Sequence, residues 1–358
     1  MLATIGDMHM GVKNGNKDFL AFQKFWLECA LEKIQAMGIT TIVQTGDFFD
    51  TRAHIKLNVL HEMIHWFPQV LERFGITHWV TYGGNHDMFY RESNEICSLD
   101  ILTLLNMRGK TNFIVVKDEF EHVSVDGFKV AIAPWLNKNN SDRILAKVAT
   151  SDADYLFGHL ELIGMPMIVG VPCTDGIEPK QFSKFKRVIS GHFHTVSESL
   201  NCTMVGTPYH ITWGDVQDGD NRGFWTLDME TDEFVLHKNE EFMTLFNVLE
   251  YDPDHPYTES DFKTYSGTLA KVLVKSKPDV KHFKKYTDLL NKAQFIDFKI
   301  IDTTMVQIEK VEISEEALSL DTISAIDAYI DIQGDSVAKE AVKALAKDIY
   351  LEVLNGGQ

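Results

Sequence analysis

Short apolar runs alternate with longer amphipathic stretches over residues 1–240, and this alternation predicts a layered α/β fold. The runs at 2–5, 40–45, 77–82 and 154–157 predict buried strands, and the stretches at 18–37, 55–74 and 93–107 predict helices. From about residue 112 the pattern changes to strands joined by tight turns, as in His122–Val125 and Lys129–Ala133 around Asp126-Gly127. We therefore expect residues 1–240 to form one α/β domain.

The pattern shifts again near residue 240, where a smaller α+β unit is expected over residues 241–303. Strands are predicted around 242–250, 268–275 and 295–301, with a helix near 280–292. Residues 304–313 are expected to form a linker. This organisation predicts a capping domain beside the larger one.

The last residues, 314–358, predict a helix-loop-helix. Ser314-Glu315-Glu316 starts a helix that runs to about Ile332, and Gly334-Asp335 separates it from a second helix. The second helix carries one apolar face, made by Val337, Ala341, Leu345, Ile349 and Val353 at steps of four. Such a face either docks onto a partner or packs back on its own chain.

The composition is that of a globular protein with a substantial core. The chain has 358 residues, of which 44% are hydrophobic, which is enough for more than one domain. No apolar run approaches the roughly 20 residues needed to span a bilayer, and the chain starts in a predicted strand rather than a signal peptide. The four cysteines lie far apart without a C-x-x-C pair. This usage predicts a reducing, cytoplasmic location.

Five short polar segments follow most of the predicted strands, and all of them carry oxygen or imidazole donors. They are Asp7-Met8-His9, Gly46-Asp47, Gly83-Gly84-Asn85-His86-Asp87, Gly158-His159 and Gly191-His192-Phe193-His194. Because residues at strand ends converge on one edge of a sheet, segments far apart in sequence can form one site. An accidental match of five ordered pieces is improbable, so the sequence predicts a two-metal phosphoesterase centre.

The residue types agree with that chemistry. Two divalent ions about 3.5–4 Å apart can bind the attacking and leaving oxygens of a phosphoryl displacement and activate water at neutral pH. One carboxylate must bridge the ions, and Asp47 is the natural candidate. Imidazole and carboxylate donors suit Mn, Fe, Zn or Co. We expect Mn, with Mg as the alternative. Adjacent residues cannot all face one ion, so Asn85 is assigned to the metal and His86 to the substrate.

The order D-x-H, G-D, G-N-H-D, G-H and G-H-x-H resembles the calcineurin-like metallophosphoesterase superfamily, over essentially the whole chain. Within it, the chain is most similar to SbcD-type DNA repair and recombination nuclease subunits, including those of bacteriophages. The resemblance implies a two-sheet sandwich flanked by helices. It also implies that one ion is bound by Asp7, His9, Asp47 and His194, and the other by Asp47, Asn85, His159 and His192.

The resemblance further implies that His86 faces the scissile phosphate and is catalytic together with Asp47. Four other residues are candidates to support the ligands or touch substrate: Asp50, Asp87, Arg52 and His210. Asp50 takes the place of a further catalytic histidine found in some family members. Arg52 is displaced by one position from the phosphate-gripping arginine of Ser/Thr phosphatases, which argues against that subgroup.

Three other motifs are weaker indications of function than the five polar segments. His61-Glu62-Met63-Ile64-His65 matches the H-E-x-x-H pattern of zinc proteases, but Pro68 follows closely and the helix carries a packing stripe. Gly109-Lys110-Thr111 ends like a P-loop, yet Leu104 occupies the place of the required glycine, so no ATP site is expected. The acidic segment Asp215–Asp220 lacks EF-hand spacing and is expected to be a polar loop.

The net charge of −18 conflicts with DNA binding, because affinity for DNA comes from neutralising phosphates. Residues 309–358 hold eleven acidic and four basic residues, so much of the excess lies in the tail. Small basic clusters occur at Lys180–Arg187 and Lys281–Lys285, where they can touch DNA or form solvated faces. We infer that tight DNA binding requires a partner.

The resulting prediction is a Mn-dependent DNA nuclease subunit with, by resemblance, 3′–5′ exonuclease and single-strand endonuclease activity on double-strand break ends. We expect a homodimer formed through helices near 55–74 and 93–107, acting on DNA in the (host) cytoplasm. The C-terminal hairpin is expected to bind an SbcC-like SMC-family ATPase. The alternatives are a phosphatase or small-nucleotide phosphodiesterase, and a non-catalytic scaffold, although scaffolds of this origin usually lose ligands and no expected ligand is missing.

Overall fold

A computed structural model gives the structure of residues 1–107, 109–304 and 343. The chain divides into two compact units, Met1–Ile301 and Asp302–Gln358. Apart from Thr304 and Lys343, the predicted linker and C-terminal helix-loop-helix lie outside the described residues. The predicted domain boundaries stay predictions.

The elements in chain order begin with β1 close to the N-terminus. The strands are β1 (Leu2–Ile5), β2 (Thr41–Gln44), β3 (His78–Tyr82), β4 (Asn112–Val116), β5 (Glu121–Val125), β6 (Phe128–Ala133), β7 (Tyr155–His159), β8 (Pro166–Ile168), β9 (Val171–Pro172), β10 (Arg187–Gly191), β11 (Ser197–Ser199), β12 (Cys202–Met204), β13 (Gly223–Asp228), β14 (Glu233–Lys238), β15 (Phe246–Glu250), β16 (Leu269–Val274) and β17 (Asp297–Asp302). The helices are α1 (Val12–Gly15), α2 (Lys17–Ala36), α3 (Leu57–His65), α4 (Phe67–Arg73), α5 (Asp100–Leu105), α6 (Ser141–Thr150), α7 (Trp213–Gln217) and α8 (Val280–Lys292), with 3-10 turns at Pro179–Phe182 and Glu259–Tyr265.

Two six-stranded sheets form the centre of the larger domain. The first has the order β14-β13-β1-β2-β3-β4 and the second β11-β12-β10-β7-β6-β5. Strands β1 to β4 run parallel, as do β6, β7, β10 and β12. One apolar cluster joins Val43 and Val80 of the first sheet to Ile132, Phe157 and Ile189 of the second. The sheets therefore pack face to face, which confirms the predicted two-sheet sandwich.

Helices cover the outer faces of both sheets, as predicted. α2 begins at Asn16, whose side-chain oxygen accepts hydrogen bonds from the backbone N–H groups of Asp18 (2.9 Å) and Phe19 (3.2 Å). Its buried stripe, which includes Trp26 and Leu31, packs in the cluster that also holds Ile42 of β2. On the other side, α6 packs in a separate cluster against the second sheet. No helix among the described residues is long and apolar enough to cross a membrane.

Two of the predicted helices differ in extent from the structure. The stretch at 55–74 forms two helices, α3 and α4, that meet at Trp66, because Pro68 in the first turn of α4 lacks the N–H of a continuous helix. The stretch at 93–107 is helical only over α5. Its first residues belong to a loop, where the buried Asn94 side chain donates to the backbone carbonyls of Lys117 (2.9 Å) and Trp135 (3.0 Å).

The predicted capping elements are present as a three-stranded sheet, β15-β16-β17, with α8. β15 and β16 pair in parallel. Asp279 begins α8 by accepting hydrogen bonds from the backbone N–H groups of Lys281 (2.8 Å) and His282 (3.2 Å). Tyr286 and Leu290 of α8 pack in an aromatic-rich cluster that belongs to this part of the chain. These residues therefore have a small core of their own.

Candidate metal centre

The predicted ligands lie just beyond, or at, the carboxyl ends of five parallel strands. Segments following β1, β2 and β3 come from one sheet, and β7 and the segment after β10 come from the other. Because the sheets face each other, these ends meet at one edge of the sandwich. All seven predicted ligands are brought together there, namely Asp7, His9, Asp47, Asn85, His159, His192 and His194.

One set of donors consists of Asp7, His9 and His194, whose ligand atoms lie within 4.8 Å of one another. The Nε2 atoms of His9 and His194 are 3.1 Å apart. His9 Nε2 also lies 3.8 Å from an Asp47 carboxylate oxygen. Two ligands bound at about 2.0–2.2 Å to one ion are separated by roughly 3–3.5 Å, so this spacing suits a shared cation.

A second set of donors also approaches the Asp47 carboxylate. His159 Nε2 lies 3.4 Å from an Asp47 oxygen and 3.0 Å from the Asn85 side-chain oxygen. His192 Nδ1 lies 2.8 Å from the same Asn85 oxygen and 3.3 Å from His159 Nε2. Asp47 belongs to both neighbourhoods, which is the position required of a bridging carboxylate.

The histidines are oriented by oxygen atoms outside the centre. His159 Nδ1 donates to the Thr45 carbonyl oxygen at 2.9 Å, so in the neutral ring the other nitrogen faces Asp47 with a lone pair. His192 Nε2 lies 3.3 Å from a Glu161 carboxylate oxygen, and His194 Nδ1 lies 3.7 Å from Asp215. His9 Nδ1 faces the Asp50 carboxylate at 3.5 Å. Metal-binding histidines in proteins are held by outer oxygen partners of this kind.

Three of the site residues have strained backbone conformations. His9, Asp47 and His192 have φ values of 44°, 47° and 94°, in the region that disfavours side chains. Such conformations cost about 1–3 kcal/mol each and occur at functional sites, where surrounding contacts maintain them. Glycines permit the close approach. A Cβ at Gly84 would collide with Asp47, and one at Gly191 would collide with the Asp7 carboxylate.

The burial of so many ionisable groups shifts their pKa values. Burial, with help from Asp47, raises the pKa of Asp7 to about 6, and burial lowers the pKa of His9 to about 4. Burial opposes the charge on His159, but Asp47 and Asp7 outweigh it and raise the pKa of His159 to about 10. Burial also opposes ionisation of Asp47, yet the surrounding histidines, led by His159, hold its pKa well below the ordinary value. Without cations, protons neutralise this cluster.

The donor set fits divalent transition metals. Four of the seven predicted ligands are histidines, which bring imidazole nitrogens. Asp7 and Asp47 bring carboxylates, and Asn85 brings an amide oxygen. Facing imidazole nitrogens at 3.1 and 3.3 Å need a proton or a cation between them. Nitrogen–oxygen sites of this kind are compatible with Mn, Fe, Co or Zn. The residues therefore fit a pair of such ions.

His86 lies at the border of the first set. Its backbone N–H donates to an Asp47 carboxylate oxygen (2.7 Å), and its ring Nδ1 donates to the Asp50 carbonyl oxygen (2.6 Å). Since a carbonyl accepts only, Nδ1 carries a proton and Nε2 is the atom left for other partners. A ligand atom of His86 also groups with those of His9 and Asp47 within 4.8 Å. Its predicted role at the substrate stays a prediction.

The other four candidate residues have different surroundings. Asp50 supports His9 and His86, as described above. Asp87 is fully buried and accepts hydrogen bonds from the N–H groups of Phe48 (3.2 Å), Phe49 (3.1 Å) and Gly84 (3.0 Å), so it joins two ligand loops rather than facing substrate. Burial, followed by repulsion from Asp47, raises the pKa of Asp87 to about 7.

Arg52 lies with its guanidinium 5.0 Å from the centre of the Trp135 ring. His210 lies outside the groups of residues that could bind a metal ion. Its ring nitrogens lie 3.3 Å from the Thr244 hydroxyl and 3.1 Å from the Gly219 carbonyl oxygen. These partners occupy both nitrogens, so the structure offers His210 no direct contact with the donor set.

Supporting residues that the sequence did not reveal include Gln23 on α2. It is completely buried, its Nε2 contacts the carbonyl oxygens of Met8 (3.0 Å) and His9 (2.9 Å), and its Oε1 accepts from Gly11 N–H (3.1 Å). A polar residue on the apolar stripe of a predicted helix was the available signal. Glu161, by contrast, had no local signal, because its partner His192 is brought near only by sheet pairing.

Of the three aspartates expected in a polar loop, Asp215 lies in a helix instead, whereas Asp218 and Asp220 follow that helix. Asp215 lies in the first turn of α7, forms a capping box with Thr212 and faces His194. Arg222 is buried, pairs with Asp218 at 2.8 Å and donates to the His194 carbonyl oxygen and the Thr207 hydroxyl. This segment therefore holds the His194 loop in place, because a buried guanidinium needs acceptors on several sides.

The motifs set aside in the sequence have structural roles. Glu62 of the H-E-x-x-H motif pairs with Lys24 at 2.7 Å. Among the residues that the structure describes, His61, Glu62 and His65 form no cluster able to hold a metal ion. Lys110 of the P-loop-like motif is exposed and pairs with Glu72 at 2.7 Å. Each motif therefore contributes an ion pair to the fold.

Comparison with known proteins identifies a relative that matches along nearly the whole chain. The chain is 31% identical to exonuclease subunit 1 of Enterobacteria phage T4 in an alignment of 358 positions, and this alignment covers 98% of this chain and 98% of the relative. A solved archaeal phosphodiesterase is 17% identical, with a TM-score of 0.35, and matches 66% of this chain and 99% of its own. That structural likeness is too distant to bear on function. No protein-family model matches the chain.

Proposed function

Because this chain belongs to the SbcD-type nuclease subunits of the calcineurin-like metallophosphoesterase superfamily, we propose that it hydrolyses DNA as the nuclease subunit of a phage-type recombination complex. The activity is Mn-dependent 3′–5′ exonuclease on double-strand break ends together with endonuclease on single strands. The chain is a phosphodiesterase rather than a scaffold, since no predicted ligand is missing.

The observation that carries this proposal is the convergence of two donor sets on Asp47. Asp7, His9 and His194 form one set, and Asn85, His159 and His192 form the other. When bound, a pair of divalent ions supplies an activated water and neutralises charge on the reacting phosphate. Two donor sets that share one carboxylate are the arrangement that such a pair needs.

The chain's own residues then position the substrate and move a proton. The backbone N–H of His86 donates to the Asp47 carboxylate, and this bond fixes the position of His86 relative to Asp47. Because the Asp50 carbonyl oxygen keeps the proton on His86 Nδ1, the Nε2 atom is directed to a separate partner. In the proposed reaction, a second proton carried on Nε2 passes to the leaving oxygen of the DNA backbone, and the ring is left protonated on Nδ1 alone.

DNA contact is proposed for the capping elements rather than for the first basic cluster. In the cluster Lys180–Arg187, Lys186 pairs with Asp154 (2.8 Å), and Arg187 lies 3.4 Å from Asp232. These cations are therefore partly neutralised within the chain. Lys281, Lys284 and Lys285, in contrast, lie exposed on α8. An exposed basic helix face is suited to a phosphate backbone.

Two protein contacts complete the proposal. A homodimer is proposed through α3, α4 and α5, because Leu57 and Met107 at these helices expose 82% and 87% of their surface. An SbcC-like SMC-family ATPase is proposed to bind the predicted helical hairpin at 314–358. The relative's description as a subunit supports the existence of a partner.

The test uses the purified protein with end-labelled linear duplex DNA and with single-stranded circular DNA. Reactions contain Mn, Mg or a chelator, with and without a candidate ATPase partner, beside a His86→Ser variant. We expect Mn-dependent degradation that the chelator abolishes and that His86→Ser reduces by about 10²–10⁴-fold. The order in which labelled products appear gives the polarity.

Other outcomes would select the alternatives. Hydrolysis of a generic phosphodiester, with DNA intact in every mixture, would indicate a small-nucleotide phosphodiesterase. Release of phosphate from phosphopeptides without DNA cleavage would indicate a phosphatase. Absence of metal binding by calorimetry would indicate a non-catalytic scaffold.

A further inference from the structure

A closed loop that directly follows the His86 motif exposes two aromatic rings. Met88 pairs with Cys97, and the Phe89 N–H donates to the Ile96 carbonyl oxygen at 3.0 Å. Phe89 and Tyr90 expose 46% and 45% of their surface, and their rings meet edge to face at 4.9 Å. Neither ring is needed to fill the core, so their exposure points to a ligand or partner.

The loop is anchored from beneath, which keeps the rings in place. Its buried Asn94 donates to the carbonyl oxygens of Lys117 and Trp135 and accepts from the Asn137 side chain at 2.9 Å. Asn139 donates to the carbonyl oxygen of Glu92 at 2.7 Å. A platform fixed in this way loses little conformational entropy when it binds a ligand.

Arg52 provides a cation that contacts Trp135, a residue that anchors this loop, and that interacts electrostatically with Asp47 of the metal centre. Its Nη1 is buried and has no hydrogen-bond partner among the described residues. Its guanidinium lies over the ring of Trp135, and the Trp135 carbonyl oxygen accepts a hydrogen bond from Asn94 of the loop. The guanidinium is attracted by the charge of Asp47 and repelled by that of Arg91. A guanidinium without a carboxylate partner in the described part of the chain is well suited to a phosphate.

We propose that Phe89, Tyr90 and Arg52 form a subsite for one unpaired nucleotide of the DNA strand that enters the metal centre. The base stacks on the Phe89–Tyr90 rings, and a backbone phosphate bonds to Arg52. The inference rests on the proposed nuclease function and adds a preference for single-stranded or frayed substrate. Bases inside a duplex are already stacked on both faces, whereas an unpaired base can stack on protein aromatics regardless of its sequence.

The experiment compares two single-stranded substrates of equal length, an oligothymidylate and an oligonucleotide that lacks bases. Cleavage in Mn is measured for the parent protein and for the double variant Phe89→Ala, Tyr90→Ala. The parent is expected to show a KM about tenfold lower for the oligothymidylate, which is near the low end of the effect of one stacked base. The double variant is expected to lose that difference by a rise in KM, with kcat little changed.

The matched control is Phe242→Ala. Phe242 is another exposed aromatic residue, 60% exposed, and its ring lies 6.2 Å from that of Phe25. It belongs to none of the donor groups, so both KM values should equal those of the parent. Equal melting temperatures of all variants would exclude unfolding as the cause of any change.

Arg52→Gln separates the phosphate contact from the base contact. It should raise KM for both substrates by a similar factor, because the abasic strand retains its phosphates. The slope of log KM against log salt concentration should fall in magnitude by about 0.7, the value for one phosphate contact on a single strand. A selective effect on the oligothymidylate would contradict the assigned role of Arg52.

Two results would overturn the base subsite. One is an unchanged tenfold discrimination in the double variant. The other is a change of oligomeric state in light scattering with unaltered KM values, which would assign the rings to a contact between two copies of the chain. Failure of the parent to cleave any oligonucleotide, while it hydrolyses a generic diester, would instead refute the proposed nuclease function on which the subsite depends.

Discussion

Gln23 offers a sharp test of how the fold supports the metal centre from outside it. The substitution Gln23→Leu keeps the size of the side chain but removes its polar atoms. The Gly11 N–H then loses its side-chain acceptor at 3.1 Å, and the His9 carbonyl loses a donor at 2.9 Å. The His9 carbonyl keeps its bond from Val12 N–H (3.1 Å), so one backbone donor is stranded.

The expected magnitude follows from these contacts. A stranded buried N–H costs about 1–3 kcal/mol, and each further lost bond costs about 0.5–1.5 kcal/mol net. We therefore expect the free energy of unfolding of the ion-free protein to fall by about 2–4 kcal/mol. Since the released segment carries His9 at a φ of 44°, we also expect weaker metal binding, by about 10–100-fold.

The assays are urea unfolding followed by tryptophan fluorescence, and calorimetric titration with Mn. Gln35→Leu is the matched control, because Gln35 lies on the same helix with its side chain exposed. It should change neither quantity. A free energy of unfolding for Gln23→Leu within about 0.5 kcal/mol of the parent value is what an ordinary surface substitution gives. That result would refute the role of Gln23 in supporting the His9 segment.

Three further predictions concern charged groups. Arg222→Met should lower the free energy of unfolding by about 3 kcal/mol in urea titration, because it leaves Asp218 without its buried partner. Burial lowers the pKa of His194 while Asp215 raises it above the ordinary value, so Asp215→Asn should lower that pKa in an NMR titration of ion-free protein. With the pKa of His159 raised to about 10, Mn binding at pH 7.5 should release about one proton, detectable from calorimetry in buffers of different ionisation enthalpy.

The raised pKa of His159 also makes the stability of the ion-free protein depend on pH. Between pH 6.5, the ordinary pKa of histidine, and about 10, the folded ion-free protein holds a proton that the unfolded chain has lost. The stabilisation from this group is therefore complete below pH 6.5 and disappears as the pH rises towards 10. Bound ions replace the proton, so this pH dependence should vanish in the metal-loaded protein.

Much of the ligand set was readable from local sequence, because each ligand lies at or just beyond a strand end. An apolar run followed by glycine and a donor residue indicates both the strand and the direction of its end, as in Thr41–Gln44 before Gly46-Asp47. The structure brings all seven predicted ligands together. It also confirms the sandwich of two sheets that the family resemblance implied.

Some boundaries could not be predicted from the local pattern. The residues before α5 have a helical distribution of apolar side chains, yet the backbone there follows Asn94 into a loop. Its partners, Lys117 and Trp135, come from segments 23 and 41 residues away. A hydrophobic period describes which residues are buried, but long-range hydrogen bonds decide whether the chain remains helical.

The sequence by itself determined the kind of chemistry, because donor types and their order along the strands are local properties. Only the tertiary structure decided which atoms orient those donors. Gln23, Glu161, Asp215 and Arg222 support His9, His192 and His194 from other elements, with Asp215 and Arg222 21 and 28 residues from His194. The physical reason is that such contacts depend on how helices and loops pack around the sheet edge, and no short sequence period records that packing.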